Sequence, residues 1–117
     1  MANFNINKVI LGGRITADID LKATPNGVAV AQFSIAINRR GKDAQTDFIN
    51  CVAWRQTAEF ISKYFSKGSS ICVVGELQKR TYTDKNGAKR DITEVIITEA
   101  LFVDSKNDAQ GDRKSVV

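Results

Sequence analysis

Residues 79 to 90, KRTYTDKNGAKR, hold Lys79, Arg80, Lys85, Lys89 and Arg90 against a single acid, Asp84, with one aromatic, Tyr82, among them. Cations grouped around a flat ring suit one kind of ligand. Ammonium and guanidinium groups hold phosphates, and the ring stacks on a base. The chain has 117 residues and a net charge of +4, and this stretch carries five positive charges against one negative. The last fourteen residues add nothing, because Lys106, Arg113 and Lys114 cancel Asp104, Asp108 and Asp112. So local an excess points to an anionic partner, nucleic acid first. The plainer reading is a solvated hairpin that keeps the protein soluble.

Other rings could belong to the same surface. Phe48 and Trp54 lie six residues apart in DFINCVAWR, so they share a strand face if no bulge intervenes. Arg55 flanks the tryptophan, Arg39 and Arg40 open the loop RRGKDAQT, and Lys67 closes a helical stretch. Each ring also has a structural reading. Phe48 and Trp54 could be core, and Tyr82 could be a cross-strand partner that steadies the hairpin. Phe33, Phe60, Tyr64, Phe65 and Phe102 match core periodicities, and Phe4 fits either role.

The residues for covalent chemistry are missing. The chain has no histidine, no nucleophile paired with a base, and no Walker-type glycine loop. Gly12-Gly13 does not fit a dinucleotide fingerprint. An enzyme is therefore not expected, nor any cofactor or metal. Cys51 and Cys72 lie in the apolar runs FINCVAW and SSICVVG and read as buried, reduced thiols. No apolar run approaches the roughly 20 residues of a membrane span. The opening residues, MANFNINKVIL, show no signal-peptide pattern, so a cytoplasmic, nucleoid-associated protein is expected.

The elements that would position these groups follow from periodicity. Residues 4–15 read as a first strand, with the glycine pair marking a bulge or bend. TPNG at 24–27 is a turn. Residues 28–38 and 47–55 read as the second and third strands, and 56–67 as a helix stopped by Gly68, with Glu59 early and Lys63 and Lys67 late. Residues 70–80 and 91–103 form a hairpin through Asn86-Gly87. Five strands with one helix between the third and fourth predict an all-β fold, the five-stranded Greek-key barrel called the OB-fold. The barrel spans 1–103, and residues 104–117 read as a short disordered tail.

Several segments in order resemble the bacterial single-stranded DNA-binding protein family, over about Asn7 to Val103. NKVILGGRI is similar to the family's opening strand, and TPNGVAVAQFSIAIN to its turn and second strand. DFINCVAWRQTAEF resembles the third strand and helix start, especially in the Gram-positive form, and KGSSICVVGELQKRTYTDKNG the fourth strand and long hairpin. The resemblance implies a homotetramer over whose surface single-stranded DNA wraps, in replication, recombination and repair. It implies that Phe48, Trp54 and Tyr82 stack bases, and Arg39, Arg40, Arg55, Lys67, Lys79, Arg80, Lys85, Lys89 and Arg90 are the expected phosphate contacts. Val9, Leu11 and Ile49 are the expected subunit contacts.

Two departures stand out. The loop after the second strand, NRRGKD, lacks the aromatic that many members carry there. The last residues, RKSVV, lack the acidic tip ending in Pro-Phe through which members recruit replication and repair proteins. A second reading is a replication-restart assembly factor of the same fold that works mainly through protein contacts. The Phe48, Trp54 and Tyr82 set argues against it.

Overall fold

The computed structural model describes residues 3–41 and 44–103. Its elements are β1 (Val9–Ile15), β2 (Asp20–Ala23), β3 (Ala29–Asn38), β4 (Thr46–Trp54), α1 (Arg55–Tyr64), β5 (Ser70–Thr83) and β6 (Lys89–Phe102). The strands neighbour one another in the order β1-β5-β6-β4-β3-β2, and β1 also pairs with β3. That pairing, Arg14 opposite Ala36 and Ile15 opposite Ile35, closes five strands into a ring. The fold is the expected OB-fold with its helix between β4 and β5. Every pairing is antiparallel except β4 with β6.

Closure needs β1 to approach β3 closely. A Cβ at Gly13 would lie 2.6 Å from the carbonyl oxygen of Ala36, so glycine is required there by contact rather than by backbone angle. Gly75 has the same role on the other side. The register of β5 against β6 shifts between Val74 and Gly75, and a Cβ at Gly75 would collide with the carbonyl oxygen of Ile96. A bulge of this kind bends its strand and increases the local twist at the root of the long hairpin.

Strand alternation supplies the core. Ile15, Ile35, Cys51, Ile71, Val73 and Val95 point inward and are fully buried, and α1 plugs the barrel with Ala58 and Ile61. Thirteen buried residues form this cluster, which is apolar throughout.

Several boundaries differ from the sequence expectation. There are six strands rather than five, because DLKA at 20–23 pairs with β3 although all four residues are exposed. With no buried face it has no apolar alternation to announce it. The TPNG turn before Val28 is as expected, with Gly27 at φ 82° and the Thr24 hydroxyl accepting from the Val28 N–H at 3.1 Å. The first strand starts at Val9, not at residue 4. Before it, the Asn7 side chain takes over the pairing, accepting from the Leu77 N–H at 2.9 Å and donating to the Leu77 carbonyl at 2.7 Å.

The helix ends at Tyr64, before Lys67, and Gly68 (φ 90°) lies in the turn beyond it. Its first turn holds no acid, since Glu59 falls in the second. The hairpin strands run to Thr83 and from Lys89, leaving a tighter turn than expected.

The aromatic core is also smaller than periodicity suggested. Phe33 and Phe65 are buried and Phe60 is half-buried, but Tyr64 and Phe102 are exposed. Ala58, Ile61 and Phe65 take the inward stripe of the helix and its exit, which leaves Tyr64 beside that stripe. Phe102 ends β6 at the barrel rim, stacked on Phe65 with centroids 5.0 Å apart. Phe4 is exposed. Both cysteines are free thiols, but Cys72 is only half-buried, because it faces outward between Gly12 and Leu101. The expected tail, 104–117, lies outside the described residues.

Candidate nucleic-acid interface

Phe48, Asn50, Val52 and Trp54 occupy alternate positions of β4 and share its outer face. Directly paired residues on neighbouring strands point the same way, so the register extends this face. Asn50 lies opposite Ser34 on β3 and Glu94 on β6, and Glu94 lies opposite Gln78 on β5. Two and four residues past Gln78, on the same face, come Arg80 and Tyr82. One continuous outer surface therefore joins Phe48 and Trp54 to Tyr82. The three rings are 65%, 44% and 43% exposed, too much for core residues.

The same face holds a shallow groove. Gln32, Ser34, Asn50 and Val52 form one side, Arg80, Ile92 and Glu94 the other, and Asp18 and Asp20 part of its edge. At the far end of β4 the chain turns abruptly into α1. Arg55 makes that turn in the left-handed region (φ 57°), which is uncommon for a residue with a side chain. The turn leaves the Trp54 ring beside a second concavity, lined also by Asn26, Gly27 and Gln56.

The cations divide into two groups. Lys79, Lys85 and Lys89 on the hairpin, and Arg40, Arg55 and Lys67 elsewhere, are exposed and form no ion pair with another described residue. Lys79 sits one residue out of phase with Arg80 and Tyr82, so it projects from the opposite face of the hairpin.

The other three arginines expected to hold phosphates are already held by carboxylates. Arg39 makes two hydrogen bonds to Asp47 (2.9 and 3.0 Å), and Arg80 two to Glu94 (3.0 and 3.1 Å). Arg90 donates to Asp84 at 2.9 Å. These bonds hold the Arg39 and Arg80 guanidinium pKa values above their ordinary range and the Asp47 carboxyl below its own.

The one acid of residues 79–90 proves to organise the hairpin turn. Asp84 accepts from Arg90 and from the backbone N–H groups of Asn86 (2.9 Å) and Ala88 (3.0 Å), which builds the turn around Gly87 (φ 83°). Those donors, Arg90 first, lower its pKa. Sequence reasoning counted Asp84 only as a charge. It also missed Glu94, which is just 6% exposed although it lies on the outer face. A glutamate within an apolar strand, TEVIIT, was the signal available.

The expected subunit contacts Val9, Leu11 and Ile49 are half-buried and pack against the core of their own chain. The exposed apolar side chain of β1 is Ile10. Among the described residues, no cluster of acidic or sulfur side chains could hold a metal ion, and no helix is long and apolar enough to cross a membrane.

A closed ring of strands with one helix between β4 and β5 defines an OB-fold, and its exposed, co-facial aromatics beside a basic hairpin have the chemistry of a base-stacking surface. Residues 6–103 match the model of the Single-strand binding protein family. Similar chains include a single-stranded DNA-binding protein of Oceanobacillus iheyensis, 43% identical over 114 residues, which cover 94% of this chain and 71% of that one. Another, from Bacillus cereus, is 45% identical over 94% of this chain and 67% of its own length. The solved Plasmodium falciparum SSB complex with ssDNA superposes with a TM-score of 0.80 at 30% identity, covering 89% of this chain and all of that one. The chain belongs to the single-strand binding protein family.

Proposed function

We propose that this protein coats single-stranded DNA without reading its sequence, protecting it and removing its secondary structure in replication, recombination and repair. The observation that carries the reading is the shared outer face of Phe48, Trp54 and Tyr82. Any base has a π-face, so stacking is indifferent to sequence and contributes about 1–3 kcal/mol per base. Arg40, Arg55, Lys67 and Lys85 are the phosphate contacts nearest to hand, because no described carboxylate holds them. Lys79 and Lys89, equally unpaired, stand on the opposite face of the hairpin and hold a strand that wraps around it. Arg39 and Arg90 join them only where a phosphate displaces their acids.

The work is binding, with no covalent step and no cofactor. The protein acts in the cytoplasm, on the nucleoid, as a homotetramer. Exposed apolar groups on the outer side of β1 and β6, Ile10 and Leu101 among them, are the natural material for subunit contacts. Val9, Leu11 and Ile49 would back that contact from beneath.

The test is a titration of Trp54 fluorescence with oligo-dT at rising salt and against duplex competitor. Trp54 is the only tryptophan, so the signal reports one place. Strong quenching by the single strand, with little response to duplex, is expected. Failure of the protein to retain bare oligonucleotides on a filter at moderate salt would favour the assembly-factor reading instead.

A further inference from the structure

We propose that Glu94 is a positioning residue for DNA binding: it fixes the guanidinium of Arg80, and Arg80 in turn fixes the ring of Tyr82. The inference rests on the reading of Tyr82 as a base platform, and it changes the role of Arg80 from phosphate contact to support.

The geometry runs in one direction. Glu94 is nearly inaccessible, although the residues around it on the outer face, Asn50, Gln78 and Arg80, are exposed. A carboxylate so placed is costly unless its oxygens are satisfied. Arg80 satisfies both, Nε donating to one oxygen at 3.0 Å and an Nη to the other at 3.1 Å. This paired geometry locks the plane of the guanidinium. The same group lies over the Tyr82 ring, 5.8 Å from its centroid.

Such a contact attracts and orients the ring through its quadrupole. If Arg80 swung out to take a phosphate, it would leave a buried, unpaired carboxylate behind and release the ring together. Both consequences oppose the move. The hairpin lysines carry no such penalty, since Lys79, Lys85 and Lys89 leave no described carboxylate unpaired.

The experiment compares the full-length protein with Glu94→Gln, Tyr82→Ala and the double variant, titrated with oligo-dT at several salt concentrations. Glutamine keeps the shape of the side chain but not the charged pair. Glu94→Gln is expected to weaken binding about two- to fivefold, the scale of one exposed cation–π contact. The salt slope should not change, and the loss should vanish in the Tyr82→Ala background.

Tighter binding with a salt slope steeper by about 0.7 would mean that Arg80 had been freed to hold a phosphate, and would overturn the proposal. An equal loss in both backgrounds would overturn it too, since that is general damage to the barrel. The paired variant Arg80→Gln with Glu94→Gln buries no charge and covers the case in which Glu94→Gln does not fold. It should show the same loss, and binding at the wild-type level would again overturn the proposal. A wild-type protein that leaves Trp54 unquenched and binds no oligo-dT fails at the first titration. That result removes the function itself and this proposal with it.

Discussion

Trp54 closes β4 and has the Arg55 turn behind it, so its exposed ring lies at the end of the proposed stacking face. Trp54→Ala and Phe48→Ala are each expected to weaken oligo-dT binding by about 1–3 kcal/mol. That is roughly fivefold to 150-fold in Kd, read by filter binding. The thermal midpoint should move little, because both rings are exposed. Cys51 behaves in the opposite way. Burial pushes its thiol up to about 12, so it is protonated and enclosed at neutral pH. Alkylation followed by mass spectrometry should find Cys51 unmodified in the folded protein at pH 8 and modified once denaturant is added.

The hairpin is the element that converts local charges into a surface. Its turn hangs on Asp84, whose pKa is depressed by Arg90 and by two backbone donors. A depressed carboxyl contributes above its unfolded value and loses that contribution as pH falls through its folded value. The turn should therefore hold from neutral pH down to the ordinary aspartate value of 3.8 and loosen below it, as seen in the amide resonances of Asn86 and Ala88. At the root of the same element, Gly75→Ala would drive a Cβ into Ile96. A loss of about 1–3 kcal/mol in denaturant unfolding is expected, the usual scale of overpacking.

Across the whole molecule, the cations outside ion pairs are expected to set the response to salt. Each phosphate neutralised on a single strand adds about 0.7 to the slope of log K against log salt. Lys85→Ala and Lys89→Ala together should reduce that slope, whereas Trp54→Ala should lower affinity at every salt concentration with the slope intact. Subunit association is a property of the same scale. Ile10 is exposed on β1, and Ile10→Glu should lower the mass seen in sedimentation if β1 lies between subunits.

The sequence determined much of this by local rules. Alternation in VAVAQFSIAIN and FINCVAW, the Asn-Gly turn and the single helical stretch announced the strands, the hairpin and the helix, because each pattern is a repeat of two or of about 3.6 residues. The spacing of Phe48 and Trp54 placed them on one face for the same reason. Tertiary structure decided whatever depends on a partner distant in the chain. β2 exists because β3 offers it an edge, and Tyr64 and Phe102 are exposed because other side chains fill the barrel before them. Gly13 and Gly75 are needed because another strand's carbonyl lies against each. The division of the arginines is the clearest case. Arg80 and Glu94 are fourteen residues apart, and only the register of β5 against β6 brings them within 3.0 Å, which turns a surface cation into the support of a neighbouring ring. Charge can be counted along a chain, but whether it is free or already paired is fixed by distances that only folding creates.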